Sequence, residues 1–395
     1  MRTYCVLVLV VGLACTFARA DAPQPSAKFD PARLARVGDA MRQMEAAGQI
    51  AGAVTLIETR EGIVQIKATG KSNLANDQPM KADAIFWIAS MTKPVTATAI
   101  LMLQDDGKLS VDDPVSKYLP EFASLKTPSG KAANLTLKQL LSHTSGMVLE
   151  APLPQRLQCH TLADLIPIYA GSPMRFEPGT KWEYCQSGIN TLGRIVEVVS
   201  GKTFGDFCHQ RIFTPLGMND STFYPTDQQA ARLATGYKRV GGKLVPNPFT
   251  FVGDRPITSR EHYPAPNAGL FTTAADYGRL CRMLLNEGSL DGRQFLRPEA
   301  VHQMRTIQTG DLKAGFSPGC GWGLGVCVIR DPQGITAMLS PGTFGHGGAW
   351  GTEAWIDPVK GFACVLMIQR TDFPSSAACP VREMFQQAAV DAIVP

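Results

Sequence analysis

Apolar and polar positions along this chain change period twice. From Pro31 to Ala47 the apolar residues recur every three or four positions, which predicts an amphipathic helix. Asp30 stands where an N-cap is wanted, and Pro31 suits the first helical position because no amide hydrogen is needed there. The runs Gly52–Ile57 and Ile63–Ile66 then predict a hairpin turning at Glu61-Gly62. A second hairpin is predicted near the far end, Glu353–Ile356 with Phe362–Ile368 around Pro358–Gly361. Gly323–Ile329 predicts a strand beside it, and Val381–Ala392 a closing helix.

The middle of the chain reads differently. Helical runs fall at 95–106, 136–142, 161–170, 187–200, 204–213 and 274–286, with Gly/Pro-rich loops between them. Gly107, Gly201 and Gly288 mark C-terminal stops, and Thr273-x-x-Asp276 fits a capping box. There is no internal repeat and no long low-complexity linker. The pattern predicts an α/β (α+β) architecture, in which both ends of the chain build one antiparallel sheet flanked by helices. The sheet portion is expected over about 29–90 and 300–395, and an inserted, mostly helical domain over about 91–299. A cleft between such parts is a favoured place for a binding site.

The first twenty residues change the picture. Arg2, the apolar run Cys5–Phe17 and Ala18-Arg19-Ala20 form the three parts of a signal peptide, so 1–20 is expected to be removed and 21–395 to remain. That predicts a secreted or periplasmic protein. A lipoprotein reading through Cys15 is weaker, because Gly12 stands where a larger apolar residue is wanted. About 13 apolar residues are too few to span a bilayer, and no later segment is longer, so no stable membrane span is expected. Eight cysteines follow the leader, with no metal-binding spacing. Export permits disulfides, and buried free thiols are the equal alternative. A net charge of +4 without any Lys/Arg cluster argues against nucleic acid as a partner.

The chemistry concentrates first at Ser90-Met91-Thr92-Lys93, between the apolar run Ile85–Ala89 and the helix from Val95. Residues three apart at a helix start share a face. A Ser hydroxyl needs a base within hydrogen-bond reach, and a desolvated Lys one turn away can be that base. Ser is also a common N-cap, which is compatible with catalysis. Tyr184 is a second candidate acid or base, either as a phenolate beside a cationic Lys93 or as a proton shuttle. No H-E-x-x-H pair and no G-x-S-x-G elbow occurs, and Gly321-Trp322-Gly323-Leu324-Gly325 opens a strand rather than a nucleotide-binding helix.

Ser90-x-x-Lys93, Tyr184-x-Gln186 and His346-x-Gly348 come in the order Ser-x-x-Lys, Tyr-x-Asn, then Lys-Thr-Gly or His-x-Gly. In this the chain resembles the penicillin-recognising serine hydrolases. It is most similar to their class C β-lactamase-like and family VIII-type esterase branch, which is related to the DD-peptidases. Leu101–Leu109 running into Asp112–Pro120, Leu137–Gly146, Ala268–Gly288 and Gly351–Pro358 carry the resemblance over about residues 30 to 370. It implies a β-lactamase/transpeptidase-like fold, a Ser acyl-enzyme, no cofactor and no metal. Ser90, Lys93 and Tyr184 would be catalytic.

Two positions depart from the family pattern. Gln186 stands where an Asn would hold the substrate amide and the catalytic Lys, and its amide lies one methylene further out. His346 stands where many members carry the Lys of Lys-Thr-Gly. Gly347 and Gly348 would let substrate approach the strand edge, and the Ala349 amide would pair with that of Ser90 as an oxyanion hole. Trp350 either lines the acyl pocket or is structural. The expected substrate is a small-molecule ester, with an amide, a D-Ala-D-Ala peptide or a β-lactam as alternatives. The rival from another class is a non-catalytic penicillin-binding-like recognition protein. A free His titrates near 6.5, so anionic substrates are expected to fare relatively better near pH 6 than pH 8.

Overall fold

The computed structural model describes residues 25–249, 253, 255–375 and 378–394. The expected leader, 1–20, lies outside them. Eight strands form the main sheet: β1 (Gly52–Thr59), β2 (Ile63–Asn73), β3 (Gln78–Pro79), β4 (Cys320–Trp322), β5 (Cys327–Ile329), β6 (Phe344–Gly347), β7 (Glu353–Asp357) and β8 (Phe362–Met367). Their order is β4-β5-β6-β7-β8-β1-β2-β3, antiparallel throughout. The two ends of the chain meet at the β8–β1 pair, where Leu366 faces Thr55 and Cys364 faces Ile57.

Helices cover both faces, which is why β1 and β8 are buried along their whole length instead of alternating. On one face lie α1 (Pro31–Ala46) and α5 (Pro380–Asp391), packed on each other over Ala53, Ile57, Cys364 and Leu366. The Asp30 carboxylate accepts the Arg33 amide hydrogen at 2.8 Å and caps α1 as expected. On the other face lie α2 (Thr92–Asp105), α3 (Gln186–Ser200) and α4 (Ala274–Leu285). There α4 packs across β1, β7 and β8, and α2 is buried from Thr92 to Leu103.

Three local expectations are corrected. The strand expected over Gly323–Ile329 is two strands, β4 and β5, because Gly325 takes φ +72° and the Gly323 amide bonds Val326 O at 2.9 Å to close a turn. The run 204–213 is a helix only over Phe204–Cys208, after which His209–Phe213 widens to π-type bonding. Thr273 accepts from the Asp276 amide, but the Asp276 carboxylate turns away to the Asp220 amide and the Ser221 hydroxyl, so only half of the capping box forms. The helix Pro298–Arg305 and the hairpin Tyr237–Val240/Lys243–Pro246 were not legible in the pattern. All eight described cysteines are free thiols.

One core residue makes stability depend on pH. Glu58 on β1 is 1% exposed, and neither carboxylate oxygen has a hydrogen-bond partner. Burial pushes its pKa up to about 8, against the pull of Arg282 and Arg279. The unfolded chain releases this proton near 4.3 and the folded chain keeps it to about 8, so stability falls as pH rises across that window. Glu58→Gln is expected to raise the Tm at pH 8.5 by an amount on the order of a few kcal/mol of stability, and to do almost nothing at pH 4.5. Thermal denaturation of both proteins at the two pH values checks it. An equal shift at both would show that the effect is packing.

Candidate active site

A turn under strain presents Ser90. The short strand Phe86–Trp87 pairs with Phe271–Thr272, and Ala89 then takes φ +45°, unusual for a residue with a side chain. Thr92 holds that turn, since its hydroxyl donates to Ala89 O at 2.7 Å and accepts from the Leu270 amide at 3.1 Å. A 3₁₀ turn over Ala89–Met91 leads into α2. Ser90 lines a cavity of about 290 Å³, and Lys93 lies behind it, fully buried.

The Lys93 amine has three partners: Ser90 Oγ at 3.2 Å, Gln186 Oε1 at 2.8 Å and the Asn267 carbonyl at 2.8 Å. As an ammonium it donates to all three. As a neutral amine its two hydrogens stay on the two carbonyl oxygens, and the lone pair is left facing Ser90. Burial pulls its pKa down to about 7, with Glu150 and Cys185 opposing the fall. Both forms are therefore populated near neutrality.

Tyr184 and His346 extend the network. The His346 Nδ1–H donates to Gly347 O at 2.7 Å, which leaves Nε2 bare to accept from the Tyr184 hydroxyl at 3.3 Å. The Tyr184 hydroxyl also lies against Ser90, and its ring centroid lies 4.6 Å from Lys93 Nζ. With Lys93 charged, hydrogens point one way along the chain: Lys93 to Ser90, Ser90 to Tyr184, Tyr184 to His346, His346 to Gly347. Burial raises the Tyr184 phenol above its usual value, so a standing phenolate is not supported. Burial, together with the nearby Lys93 charge, drops His346 to about 3. This corrects the expectation that His346 gains a proton near pH 6; the ring stays neutral there.

Of the positions picked from sequence, Ser90, Tyr184, Gln186, His346, Gly347, Gly348 and Ala349 all line the one cavity. Gly348 is required by close approach, since a Cβ there would lie 2.4 Å from Ile88 O and 2.2 Å from Thr352 Oγ1. Trp350 does not line the cavity. It packs at 5.6 Å from Trp87 and 4.9 Å from Phe249, in a separate apolar cluster with Ile85 and Phe271. Gln186 starts α3 and still reaches Lys93, so the longer side chain keeps the amide–lysine bond.

Sequence reasoning missed Asn267, His143 and Trp322. Asn267 accepts from Lys93 through its backbone, and its side-chain amide donates to Gln186 Oε1 at 3.2 Å and Glu150 Oε2 at 3.3 Å. His143 is fully buried at φ +59°, accepts the Cys185 amide hydrogen on Nδ1, and packs 4.6 Å from the Tyr184 ring. Trp322 packs 5.8 Å from Tyr184 and 5.5 Å from His346. His143 and Trp322 lay in segments already singled out, but neither carried a signal beyond its aromatic character. Nothing marked Asn267.

The sequence model of the Beta-lactamase family matches residues 37–388. Protein Rv1367c of Mycobacterium tuberculosis is 32% identical over 370 residues, covering 86% of this chain and 91% of its own length. Esterase EstB of Burkholderia gladioli is 29% identical over 347 residues, covering 81% and 86%. Among solved structures, EstCE1, described as a hydrolase with promiscuous acyltransferase activity, superimposes with a TM-score of 0.79 at 25% identity, covering 91% of this chain and 99% of its own. With the eight-stranded antiparallel sheet and its flanking helices, these matches show that the chain belongs to the Beta-lactamase family, the serine hydrolase superfamily of esterases, acyltransferases and carboxypeptidases.

Proposed function

We propose that this chain is a serine hydrolase that cleaves neutral carboxylic esters through an acyl-enzyme on Ser90. The observation that carries the ester preference is the cavity's charge. Its described lining offers no unpaired cation: the one guanidinium, Arg382, already donates to the Gly348 and Thr352 carbonyls at 2.8 Å and pairs with Glu353 at 3.7 Å. His346 is neutral. A substrate carboxylate would be desolvated here without a partner, which is costly, whereas a neutral acyl group loses nothing. The names of EstB and EstCE1 agree with this reading. The leader-like pattern of residues 1–20 supports export of the enzyme.

The chemistry follows from the network. Neutral Lys93 takes the Ser90 proton as Oγ attacks the ester carbonyl. The Ser90 and Ala349 amides receive the oxyanion, and losing one such donor typically costs about 100–1,000-fold. The Lys93 ammonium then returns the proton to the leaving alkoxide, with Tyr184 holding the Ser90 oxygen in line. Water enters by the same route and releases the acid. Tyr184 donates to His346 at rest and turns its hydroxyl hydrogen to the Ser90 oxygen once that oxygen has given up its own proton.

The test is kcat/KM for p-nitrophenyl butyrate and for nitrocefin from about pH 6 to 8.5. Butyrate is expected to be preferred throughout, and the preference not to shrink toward pH 6, since His346 does not titrate there. His346→Lys is expected to narrow the gap by about tenfold, the value of a hydrogen bond to a charged group. Nitrocefin as the better substrate of the unsubstituted enzyme at pH 8 would overturn the ester reading.

A further inference from the structure

Two thiols share the cavity with Ser90. Cys320 lies on β4 and Cys327 on β5, and both line the same space. The register sets Cys320 opposite Ile329 and Trp322 opposite Cys327. Both sulfurs therefore stand on one face of the ribbon, diagonal to each other. The two thiols lie close enough to perturb each other's ionisation. Of the eight described cysteines, Cys320 is the one that is not fully buried. The interaction between them holds the Cys320 thiol below its usual range and, with burial, pushes Cys327 well above its own. Cys320 is thus the more accessible thiol and the one that ionises first.

The surroundings connect this pair to the site. β4 is the edge strand of the sheet, held by β5 alone. It carries Trp322, which packs on Tyr184 and His346. Against Cys320 lies the turn at Gly315, where an added Cβ would sit 2.6 Å from the Cys320 Cβ. The next residue, Phe316, packs 4.8 Å from Tyr184. A displacement of β4 toward β5 therefore moves two aromatic walls of the cavity.

We propose that Cys320 and Cys327 form a reversible thiol-modification site in the acyl cavity, closed to a disulfide by a hydroperoxide, and that closure narrows the passage for the acyl group. The Cys320 thiolate attacks the terminal oxygen of the hydroperoxide. The O–O bond breaks, an alcohol leaves after protonation, and the sulfur is oxidised by two electrons to a sulfenic acid. Cys327 then attacks that sulfur, the S–S bond forms, the S–O bond breaks and water leaves. The sum is two thiols and one hydroperoxide giving one disulfide, one alcohol and one water. Diagonal neighbours on a ribbon lie about 7–8 Å apart, beyond the roughly 4.4–6.8 Å between the Cα atoms of a relaxed disulfide. Closure must therefore draw the edge strand inward, and a strained bond of this kind is readily reduced again.

The proposal uses the esterase reading for its activity readout alone, because the linkage is read by mass. The purified enzyme is treated with cumene hydroperoxide, digested without reductant and mapped. A peptide joining Cys320 to Cys327 is expected. Hydrolysis of p-nitrophenyl octanoate is expected to fall about fivefold relative to p-nitrophenyl acetate, as narrowing a packed wall would cause. Dithiothreitol should restore the ratio. In Cys327→Ser the sulfenic acid of Cys320 should persist and be trapped by dimedone. Absence of the linked peptide overturns the site. A linked peptide with an unchanged octanoate/acetate ratio, or the same loss in Cys320→Ser, overturns the claim about the passage. If neither ester is turned over before oxidation, the esterase reading falls while the linkage still decides the thiol site.

Discussion

Ser90→Ala is expected to remove turnover of p-nitrophenyl butyrate almost completely, by about a million-fold in kcat, the scale seen when a hydrolase loses its nucleophile. The geometry leaves no substitute. Ser90 Oγ is the hydroxyl in the cavity that lies against both the Lys93 amine and the Tyr184 hydroxyl. Tyr184 cannot take over, because burial keeps its phenol protonated. Thr92 cannot either, since its hydroxyl is spent between Ala89 O and the Leu270 amide. The substitution should not harm folding, because the strained turn is held by Thr92 and not by the Ser90 side chain. Intact mass of the unsubstituted enzyme, quenched during turnover, should show an acyl adduct that peptide mapping places on Ser90. An adduct on another residue, or a Ser90→Ala enzyme with ordinary activity, would sink the acyl-enzyme reading. A folded chain that neither turns over esters nor takes an adduct would instead favour a recognition protein that keeps the family fold.

What was legible from sequence, and what was not, follows from what a residue's identity can carry. Ser90 and Lys93 were legible because helical spacing alone puts them on one face. Gln186 stands in sequence as a departure from the family's Asn, with its amide one methylene further out. The structure shows the extra methylene absorbed at the start of α3, with Oε1 still 2.8 Å from Lys93. Asn267 was invisible for a plain reason: its contact with Lys93 is a backbone carbonyl, which every residue has. His346 was legible as a residue but not as a charge state, because its fall to about 3 depends on burial and on Lys93 folding beside it. Trp350 follows the Gly-rich strand end, and its sequence left a pocket role and a structural role equally open; the chain turns at Gly348 and sends the ring to Trp87 and Phe249, the structural alternative. The fold read well where apolar runs were long, as at β1 and β8. It failed at Gly323–Val326, where a turn and a strand share the same glycine-rich composition.

The second large effect concerns the base. Lys93→Met is expected to lower kcat by about a thousand-fold, within the range general-base catalysis supplies. The sign of the pH dependence separates Lys93 from Tyr184. Lys93 accepts a proton only when neutral, and its pKa is pulled down to about 7. kcat/KM of the unsubstituted enzyme should therefore rise with pH through about 7 and level off above it, falling about tenfold per unit on the acid side. Lys93→Met should lose that limb, because the group that titrates is gone. Glu150→Gln should keep the limb but move it to lower pH, since the Glu150 charge is what raises the Lys93 pKa against burial. Tyr184→Phe should reduce kcat and leave the limb in place, because a phenol pushed above its usual value does not titrate near neutrality. The two losses should not multiply in the double mutant, since Tyr184 acts on the same Ser90 oxygen that Lys93 deprotonates. The decisive outcome is the opposite pattern. If Tyr184→Phe abolishes the limb near 7 while Lys93→Met retains it, the phenol is the base, and the low-pKa amine serves only to hold Ser90 and Gln186 in place.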